Sequence, residues 1–180
     1  SNKIEVEKLI DSYCKNYGVA AFSLRYFNVL GCSDPKLSDN SVENLVPKVF
    51  KTIDLCERPV IYGDDYKTAD GTCVRDYVHI EDIAQAHLKL INHFINATNQ
   101  IFNIGTGVGT SVRDIFKTID NICKINSNPV VVGRRDGDID TLVSKVDKLL
   151  MKTNWIPNKS IDEMIFSSWN AWQILKGVRP

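Results

Sequence analysis

The stretch Asp65-Tyr66-Lys67-Thr68-Ala69-Asp70-Gly71-Thr72-Cys73-Val74-Arg75-Asp76-Tyr77-Val78-His79 delivers an arginine where a polar, glycine-containing loop becomes an alternating strand. A guanidinium so placed can hold phosphate oxygens by paired, charge-assisted hydrogen bonds. A second set, Arg134-Arg135-Asp136-Gly137-Asp138, lies in a loop after the apolar run Val130-Val131-Val132, where α/β proteins place ligand contacts. Arg75 and Arg135 together suit two adjacent phosphates. Asp138 suits either acceptance from sugar and base groups or bracing of the arginines. Chemistry alone favours ion pairing at the surface for each, because most exposed charges are solvated.

Two further segments carry polar groups to a strand end. Arg25-Tyr26-Phe27-Asn28 closes the apolar run that begins at Val19, so its last residues emerge at the carboxyl edge of a parallel sheet, the ligand edge of open α/β folds. For Tyr26 the preferred reading is a core aromatic. Gly105-Thr106-Gly107-Val108-Gly109-Thr110-Ser111 follows a strand and opens a helix, as a dinucleotide loop does, but its spacing is G-x-G-x-G rather than G-x-G-x-x-G. No acidic residue ends a strand at the expected distance. A phosphate cradle and a structural turn capped by Ser111 compete here, and the spacing favours the turn.

The elements that must position these groups alternate between strand and helix. Ile4, Val6, Leu9, Ile10, Tyr13 and Tyr17 form one stripe of a first helix that Gly18 stops. Val19 to Leu30 reads as one strand buried on both faces. Gly31 to Asn40 is loop, and Val42 to Leu55 a helix with Ser41 near its cap. Pro59 to Tyr62 is a short strand. Glu81 and Asp82 open a helix through Phe94, Gln100 to Ile104 is a strand, and Ser111 caps a helix through Ile122. Val130 to Val132 and Leu142-Val143 are short strands, Val146 to Met151 a short helix, and Ile161 to Leu175 the last helix. This pattern predicts α/β layering on a largely parallel sheet.

At 180 residues, with 22 Lys+Arg against 22 Asp+Glu, the chain suits one domain and carries no net field for nucleic acid. It has neither an apolar run of membrane-spanning length nor a signal-type N-terminus, so a cytoplasmic protein is expected. The five cysteines, Cys14, Cys32, Cys56, Cys73 and Cys123, form no C-x-x-C pair. Reduced, mostly buried thiols are expected, and with His79, His87 and His93 unpaired, no metal site.

Taken together, Asp65 to His79, Arg25 to Asn28 and Arg134 to Asp138 resemble the UDP-glucose (UDP-galactose) 4-epimerases of the extended short-chain dehydrogenase/reductase family. The resemblance runs from Lys3 to about Trp172 and matches the family's C-terminal half. It implies the end of an NAD-binding Rossmann half interleaved with a small UDP-sugar-binding α/β domain over residues 1–180, with the N-terminal cofactor-binding half absent. By resemblance, Arg75, Arg135 and Asp138 hold UDP. Asn28, Asn44, Leu45, Val60, Ile61, Tyr62 and Leu142 line the rest of the sugar nucleotide, and the Phe27 backbone lies near the nicotinamide. Ser1-Asn2-Lys3 looks like the end of the family's Tyr-x-x-x-Lys stretch, so Lys3 would hold the nicotinamide ribose and lower the pKa of a tyrosine two residues before Ser1. Lys145 departs from the family, many of whose members carry an acidic residue there. Leu142 is intermediate in size at a position that helps decide whether N-acetylated hexoses fit. The implied chemistry is a borrowed-hydride cycle. A tyrosinate removes the C4 hydroxyl proton, the C4 hydride passes to NAD and returns to the opposite face of the turned 4-keto sugar. A homodimer is implied for the intact enzyme, and residues 1–180 alone are expected to be inactive. The alternatives are another NAD-dependent UDP-sugar epimerase, acting on N-acetylhexose, pentose or glucuronate, or a non-catalytic module that works with a partner.

Overall fold

A computed structural model describes residues 2–39, 41, 43–95 and 97–177. In chain order the elements are α1 (Asn2–Tyr17), β1 (Ala21–Tyr26), β2 (Asn28–Leu30), a 3-10 turn (Pro35–Leu37), α2 (Leu45–Asp54), β3 (Val60–Tyr62), β4 (Val74–His79), α3 (Ile80–Ile91), β5 (Asn99–Ile104), β6 (Gly109–Ser111), α4 (Val112–Cys123), β7 (Val130–Val132), β8 (Thr141–Leu142), α5 (Asp147–Thr153) and α6 (Ile161–Leu175). The α/β layering is as expected. The strands fall into three small groups rather than one sheet. β1 pairs parallel with β5, β3 pairs parallel with β7, and β4 carries β2 and β8 in parallel and β6 antiparallel.

Several expectations change. The apolar run Val19 to Leu30 is not one doubly buried strand. The Phe27 amide still donates to the Ile104 carbonyl at 3.1 Å, but Asn28 pairs with Tyr77, so the chain crosses between sheets at Phe27. Of its residues only Ser23 and Leu30 are buried. The first helix forms, yet Val6, Leu9, Tyr13 and Tyr17 are exposed and Cys14 is its buried residue. The second helix starts at Leu45, with Asn44 at the cap position, while the Ser41 amide donates to Asp39. Asn40 and Val42, placed by the sequence in loop and helix, lie outside the described residues. Tyr26 is not core; it is exposed, and its hydroxyl lies 2.9 Å from His87 Nε2. The thiols are free, with Cys14 and Cys73 buried and Cys56 exposed.

Two apolar clusters fill the interior. The larger joins Leu30, Val46, Val49, Phe50, Ile61 and Tyr77 to the inner faces of α4 and α6. The other packs Val78, Phe102 and Ile104 against α3, Leu149 and Trp155. Successive β4 residues thus point into different cores, as the pleat requires.

Between these cores sits Asp76, with no exposed surface. Its carboxylate accepts from the amides of Thr106 (2.8 Å), Gly107 (3.0 Å) and Ser144 (3.1 Å) and from the hydroxyls of Thr106 and Ser144. A Cβ at Gly105 would collide with this carboxylate and with the Ser144 hydroxyl, so the glycine there is required by close approach. The glycine-rich run is therefore a structural turn: its amides are committed to Asp76, leaving no open cradle for phosphate. Asp76→Ala would leave the Thr106 and Ser144 amides without their acceptor, at about 1–3 kcal/mol for each buried group, while the Gly107 amide keeps its bond to the Ser144 hydroxyl. The variant is expected to lose at least about 2 kcal/mol in urea denaturation; a loss below ~1 kcal/mol would contradict the brace.

Candidate functional site

The first part of the site is built where α1 meets the end of β1. Arg25 donates through Nε and Nη2 to the two Glu7 carboxylate oxygens at 2.7 and 2.6 Å, and this pairing holds the Glu7 carboxyl below its ordinary pKa. The fork pins the second turn of α1 beside the carboxyl end of β1. Lys3 stands one turn further toward the helix N-terminus, about 6 Å along the axis, and is exposed. Phe27, half-buried, follows Arg25 by two residues. The structure thereby brings Lys3 and Phe27 toward the same sheet edge. A cation and an aromatic backbone suit the ribose and nicotinamide end of a dinucleotide.

The second part is a cavity of about 260 Å³ beneath β2, walled by Asn28, Asn44, Leu45, Phe50, Tyr77 and Trp172 among others. Asn28 is exposed at its mouth. The Asn44 side-chain amide donates to Asp39 at 2.6 Å, and its side-chain oxygen has no hydrogen-bond partner among the described residues. Burial tends to raise the Asp39 pKa, but the hydrogen bonds from Asn44 and Ser41 outweigh it and hold the carboxyl low.

The arginines form the third part. Arg75 Nη1 donates to the carbonyls of Val74 (2.9 Å) and Ile139 (2.8 Å), and Nη2 reaches Asp138 at 3.4 Å. Asp138 thus braces Arg75, one of the two roles its chemistry allowed. Leu142 pairs in register with Arg75 and is exposed. Arg135 stacks on the Tyr62 ring at 3.8 Å, with Lys48 at 6.0 Å from the same ring. Among the described residues no carboxylate pairs with Arg135, whereas Arg134 is tied to Asp65 and stacks on Tyr66 at 4.1 Å. Arg135 is thus the guanidinium left open to an anion. Ile61 is a buried core residue, and Val60 pairs with Val130 on β7; neither side chain joins the cavity or the arginine cluster. Lys48, Tyr66 and Tyr77 were not singled out for the site by the sequence, because each reads as ordinary helix surface or core.

The fold is that of an α/β protein of the extended short-chain dehydrogenase/reductase type. Residues 1–105 match the NAD dependent epimerase/dehydratase family, and the chain belongs to that family. It is 36% identical over 163 residues to the UDP-glucose 4-epimerase of Corynebacterium glutamicum, covering 87% of this chain and 48% of that protein. It is 35% identical over 184 residues to that of Drosophila melanogaster, covering 95% and 51%. The crystal structure of UDP-glucose 4-epimerase from Bifidobacterium longum in complex with NAD+ and UDP is similar with a TM-score of 0.85 at 30% identity, over 97% of this chain and 53% of that one. The chain spans about half the length of the curated relatives it matches. No described helix is long and apolar enough to cross a membrane.

The Arg25–Glu7 fork is what fixes the height of Lys3. Arg25→Ala is expected to speed amide hydrogen exchange in the first two turns of α1 about two- to fivefold and to leave α6 unchanged. Mass-spectrometric exchange of the purified protein checks this; unaltered protection in α1 would show that its packing alone holds Lys3.

Proposed function

We propose that this chain supplies the UDP-sugar-binding half of an NAD-dependent UDP-glucose/UDP-galactose 4-epimerase, an isomerase of the cytoplasm. The observation that carries the reading is the convergence, around β4, of Arg75 braced by Asp138, Leu142 in register beside it, and Arg135 lying open over Tyr62. The similarity to UDP-glucose 4-epimerases along nearly the whole chain supports it.

In this reading Arg75 and Arg135 grip the diphosphate, and Asp138, Tyr62 and the backbone of Val60 and Ile61 face the uridine. Asn28, Asn44, Leu45 and Leu142 surround the sugar end. Lys3 and the Phe27 backbone would hold the nicotinamide end of NAD. The chemistry NAD supplies when bound is reversible hydride acceptance at the sugar C4. Lys3 would stabilise the anion of a tyrosine carried on the other half. Because the reacting sugar must turn between hydride transfers, the binding energy has to sit on UDP, and the arginines lie where it would.

The exposed stripe Val6, Leu9, Tyr13 and Tyr17 on α1, and the edge of β1 that pairs with no described strand, suit cover by the cofactor-binding half and by a second copy in a homodimer.

Arg135→Ala and Arg75→Ala are expected to weaken UDP roughly 10- to 150-fold, the exposed Arg135 toward the lower end, and to weaken UDP-galactose by about the same factor. Calorimetry measures this, with circular dichroism confirming that the variants fold. Binding within about twofold of wild type for both variants would leave them surface charges and refute the reading. The second expectation concerns the C2 substituent. Leu142→Tyr should abolish turnover of UDP-N-acetylhexoses and retain UDP-galactose activity. Equal activity on both sugars before and after the change would remove Leu142 from the sugar pocket.

A further inference from the structure

Resting on the nucleotide-sugar reading, we infer that His79 is a positioning residue for that site: through Ser167 its neutral imidazole holds the loop from Gly31 to Asp39, one wall of the cavity, and releases it on protonation. The loop is braced within itself, because the Lys36 and Leu37 amides both donate to Asp34, and at its far end Asp39 holds Asn44. It is tied to α6 at its first two residues. There the Gly31 and Cys32 amides donate to the hydroxyls of Ser168 and Ser167, each at 3.1 Å.

His79 ends β4 against this hinge. It is 2% exposed, and its ring lies so close to Gly31 that any Cβ there would overlap it. The surrounding bonds fix its protonation state. Nδ1 accepts from the Glu81 amide at 3.1 Å, capping α3, so it carries no proton. Ser167 spends its single hydrogen on the Met164 carbonyl at 3.0 Å, so Nε2, 3.1 Å from the Ser167 oxygen, is the donor. One hydroxyl thus joins the imidazole to the Cys32 amide. A second proton has no place, because on Nδ1 it would meet the Glu81 N–H head-on and cancel the cap. The charges facing the ring are already engaged. The Glu81 carboxylate, 4.0 Å from Nδ1, shares Lys159 with Glu163, and the Asp82 carboxylate accepts from the Asn158 and Lys159 amides. From the loop, Cys32 brings a thiol whose pKa burial pushes up. Burial is the largest influence on the imidazole and holds its pKa below the ordinary value, Lys159 acting with it and Glu81, Asp82 and Glu163 against it. A ring released to water would return toward about 6.5, so as the pH falls below that value protons favour the freed loop.

Calorimetric titration with UDP-galactose, whose esterified diphosphate gains no proton in this range, tests the inference on protein expressed with whatever coding sequence adjoins residues 1–180. The wild type should lose about three- to tenfold in affinity between about pH 7.5 and about pH 5. His79→Asn keeps a capping oxygen but neither titrates nor reaches Ser167, and Ser167→Ala cuts the tie while leaving the imidazole in place. Both should bind about three- to tenfold more weakly than wild type at about pH 7.5, and vary less than about twofold across the range. Hydrogen exchange gives a readout without ligand: residues 31–39 should exchange faster in both variants than in wild type at the same pH, with α4 unchanged. A wild-type affinity that stays level across the range, or that falls equally in the variants, makes His79 merely structural and overturns the inference while the nucleotide-sugar reading stands. Failure of the wild type to bind UDP-galactose at any of these pH values refutes that reading and the inference with it.

Discussion

The arrangement depends on one buried carboxylate. Asp76 gathers the Gly105–Gly107 turn and the segment at Ser144 onto the middle of β4, through five hydrogen bonds from Thr106, Gly107 and Ser144. Burying a carboxylate is costly unless its lone pairs are used, and here they are used by groups that would otherwise be orphaned themselves. The segment leading to Ser144 includes β8, and with it Leu142 and the stretch that braces Arg75 through Ile139. Within one strand, Asp76 thus ties the neighbouring segments together, while Tyr77 packs in the larger core and Arg75 reaches Asp138 and the Ile139 carbonyl.

The arginines show how like charges can be crowded without mutual repulsion dominating. Arg134 spends its donors on Asp65 and its face on Tyr66, and Arg75 spends two bonds on backbone carbonyls. Of these three, Arg135 is left with its hydrogen-bonding edge open among the described residues, steadied by stacking on Tyr62, a contact that consumes none of its N–H groups. Gly63 makes the neighbouring stack possible, because a Cβ there would meet both the Tyr66 ring and the Arg134 stem. A guanidinium held by stacking is preorganised for a phosphate at little conformational cost.

Much of this was legible where local chemistry decides structure. The last helix spans Ile161–Leu175 as its apolar pattern predicted, and the structure adds a reciprocal cap between Ser160 and Glu163; Ser111 announced α4 directly. The glycine-rich turn was read correctly from its spacing, although its cause, Asp76, is remote in sequence and invisible to any local pattern. The break at Phe27 was not legible, because an apolar run looks the same whether it stays in one sheet or crosses to another. α1 misled for a related reason: periodicity reveals an apolar stripe, but says nothing of what covers it. Arg75 and Arg135 stood out as types at loop ends, whereas Tyr77 needed the β2–β4 register before its place beside Asn28 could be seen.

The same geometry explains why the two parts of the site sit on different supports. Arg75, Tyr77 and Asn28 belong to strands paired in register around the best-buried core, where positions are held by packing on several sides. Lys3 is held by a solvent-facing fork at one end of a helix that buries little, a weaker support by nature. Anchoring of a nucleotide needs rigidity, and a strand core supplies it without further help. In the proposed reading Lys3 stands beside a proton-transferring tyrosine, and positioning of that accuracy needs α1 to be packed on its exposed stripe as well. Covering that stripe would therefore steady Lys3 while leaving the strand-borne residues Arg75 and Asn28 as they stand.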